Sequence, residues 1–355
     1  MTLRLLAMGG LGRMLAPAAV HLRSRPEAHF LRVHDRGGEG EFRSQSRQAW
    51  LQHGAQLVSS VPQLISDGEF DGIVICAGKN GDDQQIFQEL IPLLHTIHKN
   101  RQYFILHMST VSTEFVKVTH QYCQQYGVQY VNYPLTGGAK GAQLAKMLIL
   151  ASGDEVLFQR LQPMLQLLGV PKYFGPDIIA ATAVKLIGHL MVFHGLLGIS
   201  LAATLHKNVF QLHHLDVTQV EFFDFLNQGA GGTRQWEVTL RQGIEHQQWE
   251  AGFLVKHAVV DIIYTAQLLI EKNLPAILIL PMLEVALLFA YLLMQYPEQE
   301  WATQAIAKLI ADTPKEKLEE FIQKNIHAQP LQCLKNCVAT LPRYIQASVM
   351  LDVVY

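Results

Sequence analysis

The first 175 residues alternate short apolar runs with amphipathic stretches, and this alternation limits most strongly how the chain can fold. Short apolar runs bounded by turn residues are typical of buried strands, and the longer stretches between them have helical periodicity. Strands that alternate with helices predict a parallel sheet with helices on both faces. We therefore predict a doubly wound, mostly parallel Rossmann-type α/β domain over residues 1–175. Its predicted strands are 3–8, 29–34, 55–59, 72–76, 102–107 and 129–132, with 146–151 and 173–174 completing one mixed sheet.

The second half has a different character, because strand-like alternation stops after residue 177 and long apolar helical periodicities continue to the end. A chain of 355 residues exceeds what one hydrophobic core usually serves. We therefore predict an all-helical domain over residues 176–355. Two of its segments, 186–205 and 274–296, approach the length that spans a bilayer. Neither has basic flanks, so we interpret both as helices buried between packed subunits or domains, and we expect no membrane partner.

A glycine-rich turn lies directly after the first predicted strand and before the first predicted helix. Gly10 and Gly12 permit a tight turn and a close approach of backbone amides to a pyrophosphate, which the helix N-terminus also favours. The predicted phosphate loop runs through Leu11, Arg13 and Met14. A nicotinamide dinucleotide is the expected cofactor.

An acidic residue follows at the end of the second predicted strand. Asp35 can accept hydrogen bonds from the adenosine ribose hydroxyls and would repel a 2′-phosphate, which favours NAD over NADP. The neighbouring Arg36 weakens that preference, so both cofactors stay open. Ala77 and Gly78, after the fourth predicted strand, are further predicted cofactor contacts.

The net charge and the cysteine content limit the kinds of partner and site that we expect for this chain. The formal net charge is −2 and the sequence has no long basic run, so nucleic acid is not an expected partner. Four cysteines in a chain of this length do not form a disulfide framework, and reduced thiols in a cytoplasm are expected. Cys333 and Cys337 share a helix face, but no second ligand pair accompanies them, so we predict no metal site.

Four patches, in order along residues 3–295, resemble the β-hydroxyacid dehydrogenase family, which includes 3-hydroxyisobutyrate dehydrogenase. The family motifs GLGxMG, DxST, APVSGGxxGA and KxxNN correspond to residues 10–14, 107–110, 133–142 and 185–189 of this chain. The third patch is the most specific. The resemblance implies an NAD- or NADP-dependent enzyme that acts on small 3-hydroxy acids or semialdehydes, and a homodimer formed through the helical domain.

The resemblance also implies roles for individual residues. Thr136, Gly137 and Gly138 fall where the family holds the substrate carboxylate, and Thr110 falls near the nicotinamide end of the cofactor. Lys185 falls on the catalytic lysine. Its setting agrees, because Lys185 is the one charged residue between Asp177 and Lys207. An apolar environment lowers the pKa of a lysine toward neutrality, which suits general acid/base catalysis.

His189 lies four residues after Lys185 and would share its helix face, where it could bind substrate or orient the lysine. It is equally consistent with a core histidine satisfied by backbone. His189 and Gly188 replace the two family asparagines, and Val260 replaces a lysine that usually reaches the cofactor. These departures leave two alternatives open: a dinucleotide-binding sensor or assembly protein without dehydrogenase chemistry, and an imine-reductase-like enzyme.

Overall fold

A computed structural model describes residues 2–97 and 102–355. The chain divides into two compact units. Unit 1 comprises Met1–Lys185 together with Met350–Tyr355, and unit 2 comprises Leu186–Val349. The first unit therefore continues ten residues past the expected boundary and also includes the last six residues of the chain.

Unit 1 is built on a six-stranded parallel sheet with the order β3-β2-β1-β4-β5-β6. The order reverses direction at β1 and β4, so a crevice is expected at their carboxyl ends. The strands of this sheet are β1 Leu3–Met8, β2 Ala28–His34, β3 Gln56–Val58, β4 Gly72–Ile75, β5 Phe104–His107 and β6 Gln129–Asn132.

Helices cover both faces of this sheet, as the Rossmann prediction requires. Leu5 and Ala7 point into one buried cluster with α1 and α2, whereas Leu6 and Met8 point into a second cluster with α3, α4 and α5. The alternation follows from the two-residue period of a strand. The helices are α1 Ala18–His21, α2 Glu41–His53, α3 Val61–Ile65, α4 Asn80–Ile97 and α5 Thr113–Gln125.

The prediction that the later strands complete the same sheet was wrong. They form a separate three-stranded sheet, β7-β8-β9, in which β7 is antiparallel to β8. Its last strand begins at Gly169, earlier than predicted, because it pairs along the full length of β8. The elements of this part are β7 Leu135–Thr136, α6 Gly138–Gln143, β8 Met147–Ala151, α7 Glu155–Gln166 and β9 Gly169–Tyr173.

Unit 2 is helical among the described residues, apart from one isolated β-bridge between Leu254 and Ala302. Its long first helix, α8, starts within unit 1. The elements are α8 Ala180–Val209, α9 Thr218–Leu226, a π-helical turn Trp236–Leu240, α10 Arg241–His246, α11 Val255–Glu271, α12 Ala276–Gln295, α13 Ala305–Asp312, α14 Lys315–Asn325, α15 Pro330–Thr340 and α16 Arg343–Val349.

Two helices of the described chain, α8 and α12, are long and apolar enough to cross a membrane by length and composition alone. The most apolar stretch of α12 is 61% buried, which is the behaviour of a core helix in a soluble fold. The corresponding stretch of α8 is only 33% buried. Helix α8 therefore leaves much of its apolar surface uncovered within one chain.

Candidate dinucleotide site

At Gly9, directly after β1, the backbone packs closely against the residue that follows β4. This residue has a φ of +74°, and a Cβ atom there would lie 2.3 Å from the Cys76 carbonyl oxygen. The Gly9 amide donates to the His34 carbonyl oxygen at 3.0 Å. The chain thus passes between the carboxyl ends of β2 and β4 with room for glycine alone. Gly9 was not among the predicted residues, since the prediction placed this turn at Gly10, although Gly9 follows the strand directly.

Gly10 and Gly12 have packing roles of their own. A Cβ atom on Gly10 would lie 2.3 Å from a Val33 methyl group, and the buried Trp50 indole donates to the Gly10 carbonyl oxygen at 2.8 Å. A Cβ atom on Gly12 would lie 3.2 Å from the Gly9 carbonyl oxygen. Both positions therefore hold the loop tightly against the sheet.

The prediction that a helix begins directly after the glycine turn is wrong. Residues 10–17 form successive turns, and α1 begins only at Ala18, after Pro17. The N-terminus of the short α1 therefore lies away from the predicted phosphate loop. Arg13 is exposed with its guanidinium 5.1 Å from the Phe42 ring centroid, and Met14 is half-buried against the core.

Asp35 lies at the end of β2 and is held by three donors. Its carboxylate accepts from the Leu11 amide at 3.2 Å, from the Gly37 amide at 3.1 Å and from the Arg43 guanidinium at 2.5 Å. Its side chain is only 9% exposed. The carboxylate is therefore paired with a cation inside the protein, and the sequence alone did not predict this pairing.

A cavity of about 230 Å³ opens beside this carboxylate. Gly9, Asp35, Arg36 and Ala77 all line it, so the structure brings together these predicted residues from three strand ends and the missed Gly9. The remaining lining residues are Met8, His34, Arg43, Val61, Asp82, Gln85, Ile86 and Glu89. Arg36, in the loop after β2, pairs with Asp82 in the first turn of α4 at 3.3 Å, and the Arg36 side chain is 56% exposed.

The loops after β4 and β5 are joined by side-chain hydrogen bonds. The Ala77 amide donates to Ser109 Oγ at 3.2 Å, and the buried Asn80 amide group donates to Ser112 Oγ at 2.9 Å. Gly78 packs against Asp82, since a Cβ atom on Gly78 would lie 2.3 Å from the Asp82 Cβ. Thr110 is half-buried in the second of these loops.

His107, which stands at the family's Asp position, is fully buried and 2.8 Å from a carboxylate oxygen of Asp83. Its other ring nitrogen lies 2.9 Å from the Tyr130 hydroxyl. These contacts make His107 a buried packing and hydrogen-bonding residue of the sheet.

The predicted carboxylate-binding turn lies in the small sheet. Thr136 ends β7, and Gly137 and Gly138 follow with φ values of +121° and +63°. Two successive left-handed residues favour glycine strongly. Both glycines are exposed and Thr136 is half-buried, so backbone amides and one hydroxyl are accessible at this turn.

The start of α8 is fixed to the carboxyl edge of the large sheet by a buried chain of hydrogen bonds. Thr182 donates to the Asn132 side chain at 2.6 Å, and Asn132 donates to the carbonyl oxygens of His107 and Ser109 at 3.0 and 3.2 Å. Lys185 is three residues after Thr182 and therefore its neighbour on the helix surface. Its side chain is buried, with 8% of the residue exposed.

His189 lies within unit 2 and is also buried, at 7% exposure. Its Nδ1 is 3.6 Å from a carboxylate oxygen of Asp261 on α11, which is itself 2% exposed. Val260 is buried beside it. Lys256, one turn earlier on α11, forms an ion pair with Glu300. The partnership of His189 with Asp261 could not be read from the sequence.

Residues 6–179 match the family model described as the NAD binding domain of 6-phosphogluconate dehydrogenase. The chain is 32% identical over 88 residues to 2-(hydroxymethyl)glutarate dehydrogenase of Eubacterium barkeri, covering 25% of this chain and 29% of that protein. It is 26% identical over 132 residues to a probable mitochondrial 3-hydroxyisobutyrate dehydrogenase-like protein of Arabidopsis thaliana, covering 37% of each. The matches thus span less than two thirds of these relatives.

Similarity in fold extends further than similarity in sequence. The structure of 3-hydroxyisobutyrate dehydrogenase of Mycobacterium tuberculosis with L-serine superposes with a TM-score of 0.69 and 17% identity. The superposition covers 87% of this chain and 99% of that one. It agrees with the predicted combination of a Rossmann domain and a helical domain.

Proposed function

We propose that this chain is a divergent member of the β-hydroxyacid dehydrogenase family and a nicotinamide-dependent oxidoreductase of small 3-hydroxy acids or the matching semialdehydes. The observation that carries this proposal is the cavity at the carboxyl ends of β1, β2 and β4, with Gly9 at its base. A crevice at the point where strand order reverses is where such sheets bind nucleotides.

The glycine loop and the cavity beside it fit a dinucleotide. Gly9 lines the cavity with backbone atoms alone, because a Cβ atom there would overlap the Cys76 carbonyl oxygen, and a bare glycine backbone permits the close approach of a diphosphate. The residues that would hold the cofactor are the loop from Gly9 to Met14, Asp35, Arg36, Ala77 and Thr110. The nicotinamide ring, when bound, supplies or accepts the hydride.

The charges at the end of β2 support use of NADP as well as NAD. The paired Arg43 offsets the negative charge of Asp35, which would otherwise repel a 2′-phosphate. The more exposed Arg36 offers a second guanidinium at the cavity edge, and guanidinium groups bind phosphate well. Arg36 and Arg43 would therefore decide cofactor choice more than Asp35 does.

Lys185 would exchange the proton of the substrate hydroxyl or carbonyl oxygen. The anchor from Thr182 through Asn132 to the end of β5 supports this role, because it fixes the helix turn that carries Lys185. A general acid/base needs such positioning within hydrogen-bond reach of the reacting oxygen. Thr136 and the amides of Gly137 and Gly138 would hold the substrate carboxylate.

The test is turnover of NADH and NADPH with a panel of 3-hydroxy acids and semialdehydes. We expect Lys185→Met to reduce kcat about 10²–10⁴-fold, the usual contribution of a general acid/base. Lys207→Met is the matched control, since Lys207 is another largely buried lysine on the same helix, and it should keep its activity. No turnover by the wild type, or equal activity of both variants, would refute the proposal.

A second candidate is a dinucleotide-binding protein without dehydrogenase activity. It is favoured by Val260, which is buried where the family resemblance places a cofactor-reaching lysine, and by the ion pair that engages Lys256. Saturable dinucleotide binding without turnover on the whole panel would select this function.

We also propose that a second copy of this chain covers α8. Apolar residues spaced along this helix stay exposed within one chain: Ile187, Met191, Leu201, Leu205 and Val209. Exposed apolar residues that recur on one face of a helix mark an interaction surface. A homodimer through the helical unit buries it.

A further inference from the structure

The last six residues pack into unit 1, although the preceding helix belongs to unit 2. Val353 joins the buried cluster between the sheet and helices α4 and α5. The Tyr355 ring stacks on Tyr122 of α5 at a centroid distance of 4.3 Å and an angle of 2°. The Tyr355 hydroxyl lies 2.7 Å from the buried Thr119 hydroxyl. The segment is therefore held along its length by α5 and the core.

Helix α4 binds the backbone of the same segment through two amide side chains. Asn80 donates to the Met350 carbonyl oxygen at 3.1 Å, and Gln84 donates to the Val354 carbonyl oxygen. Asn80 also accepts from the Ser112 amide at 3.0 Å, which fixes the start of α5. One side chain thus connects the tail, the loop after β4 and the loop after β5.

The residues of α4 that hold the tail and those that line the cavity lie on opposite faces of this helix. Asp82, Gln85, Ile86 and Glu89 line the cavity, at the spacing of one helix face. Asn80 and Gln84 are four residues apart and, at about 100° per residue, point to the other side. The first turns of α4 therefore lie between the tail and the cavity.

We propose that Met350–Tyr355 is a positioning element of the dinucleotide site. By holding Asn80 and Gln84 from behind, it fixes the first turns of α4 and the loop through Ala77 and Gly78, and so sets the affinity of the cavity for the adenosine half of the cofactor. This inference rests on the proposed function for the identity of the ligand.

The experiment compares the full chain with a chain ending at Val349 and with Tyr355→Ala. Val354→Ala is the matched control, because the Val354 side chain is 71% exposed while its carbonyl oxygen is the bound group. With NADH and NADPH as probes, we expect truncation to raise the cofactor Kd about tenfold, the effect of losing one or two net hydrogen bonds. Tyr355→Ala should raise it severalfold and Val354→Ala should not. The kcat at saturating cofactor should stay within about twofold of wild type, because the reacting groups are untouched.

Amide hydrogen exchange on the same proteins gives a second readout that needs no ligand. Truncation and Tyr355→Ala should speed exchange over residues 77–86 and leave α2 unchanged, because loss of packing lowers the cost of local opening. Unchanged exchange there, or a wild-type cofactor Kd in a folded truncated chain, overturns the inference. Absence of dinucleotide binding by the full chain overturns the proposed function instead, and the exchange data then still decide whether the tail fixes α4.

Discussion

Substitution of Gly9 by alanine tests most directly whether the backbone of the glycine loop is constrained as the structure shows. A non-glycine residue at φ +74° costs about 1–3 kcal/mol of backbone strain. The added Cβ would also lie 2.3 Å from the backbone oxygen of Cys76, which cannot rotate away. Forcing such an overlap apart typically costs a further ~1–3 kcal/mol. The total for Gly9→Ala is therefore about 2–6 kcal/mol.

Gly12→Ala is the matched comparison within the same loop. Its φ lies outside the left-handed region and its Cβ would meet the Gly9 oxygen at 3.2 Å, so a shift of a few tenths of an ångström relieves the contact. Thermal unfolding should show Gly9→Ala melting roughly 10 °C lower, at about 2–4 °C per kcal/mol for a domain of this size. Gly12→Ala should melt within about 3 °C of wild type. Cofactor titration of both variants should show that Gly9→Ala loses dinucleotide binding at a temperature where it is still folded. If Gly9→Ala melts and binds like wild type, the backbone at this turn is not constrained as described.

Three further outcomes follow from named contacts. Arg36→Ala should weaken NADPH binding about tenfold, because a guanidinium–phosphate contact is lost, and should leave NADH binding unchanged. Calorimetry with both cofactors would check this. Met191→Glu places a charge at a 73% exposed position on α8, and light scattering should show that it converts a dimer into a monomer. A wild-type chain that is monomeric at high concentration would contradict the proposed interface. The Arg32 guanidinium holds the pKa of Asp67 at about 2, below its ordinary 3.8, so this carboxylate stabilises the fold above pH 3.8 and the contribution disappears as pH falls toward 2. Urea unfolding should therefore show a smaller decline over that range for Asp67→Asn than for wild type.

The large sheet could be predicted from the sequence because its strands are short, apolar and bounded by turn residues. Strands β1 and β6 have the predicted bounds, and β2, β4 and β5 differ from them by one or two residues. Period and burial are local signals, so each strand could be recognised without its partners.

The small sheet could not be predicted in the same way. Strand β7 has only two residues, and β9 contains Pro171 and exposed Val170, so neither carries a clear alternating pattern. Both strands exist because they pair with β8, which is a tertiary contact. A single sequence contains no direct record of such a pairing.

The charges around Asp35 also could not be predicted from the local sequence pattern. The position of Asp35 predicted a ribose ligand, but Arg43 lies eight residues away in an otherwise polar stretch that has many possible partners. The same holds for the tail, since Asn80 and Met350 are 270 residues apart and only the fold brings them together. Residue type and spacing predicted a cofactor site at this end of the sheet, and tertiary packing determines how the charges there are balanced.

We propose above that Lys185 serves the reacting end of a dinucleotide held over the loop that begins at Gly9. A crystal structure of the chain with NADP⁺ and a 3-hydroxy acid would test it by one distance, from Lys185 Nζ to the substrate hydroxyl oxygen. We expect this distance to be within hydrogen-bond reach, about 2.6–3.2 Å, with the diphosphate on the loop amides. A lysine directed into bulk solvent, or a dinucleotide bound elsewhere, would contradict it.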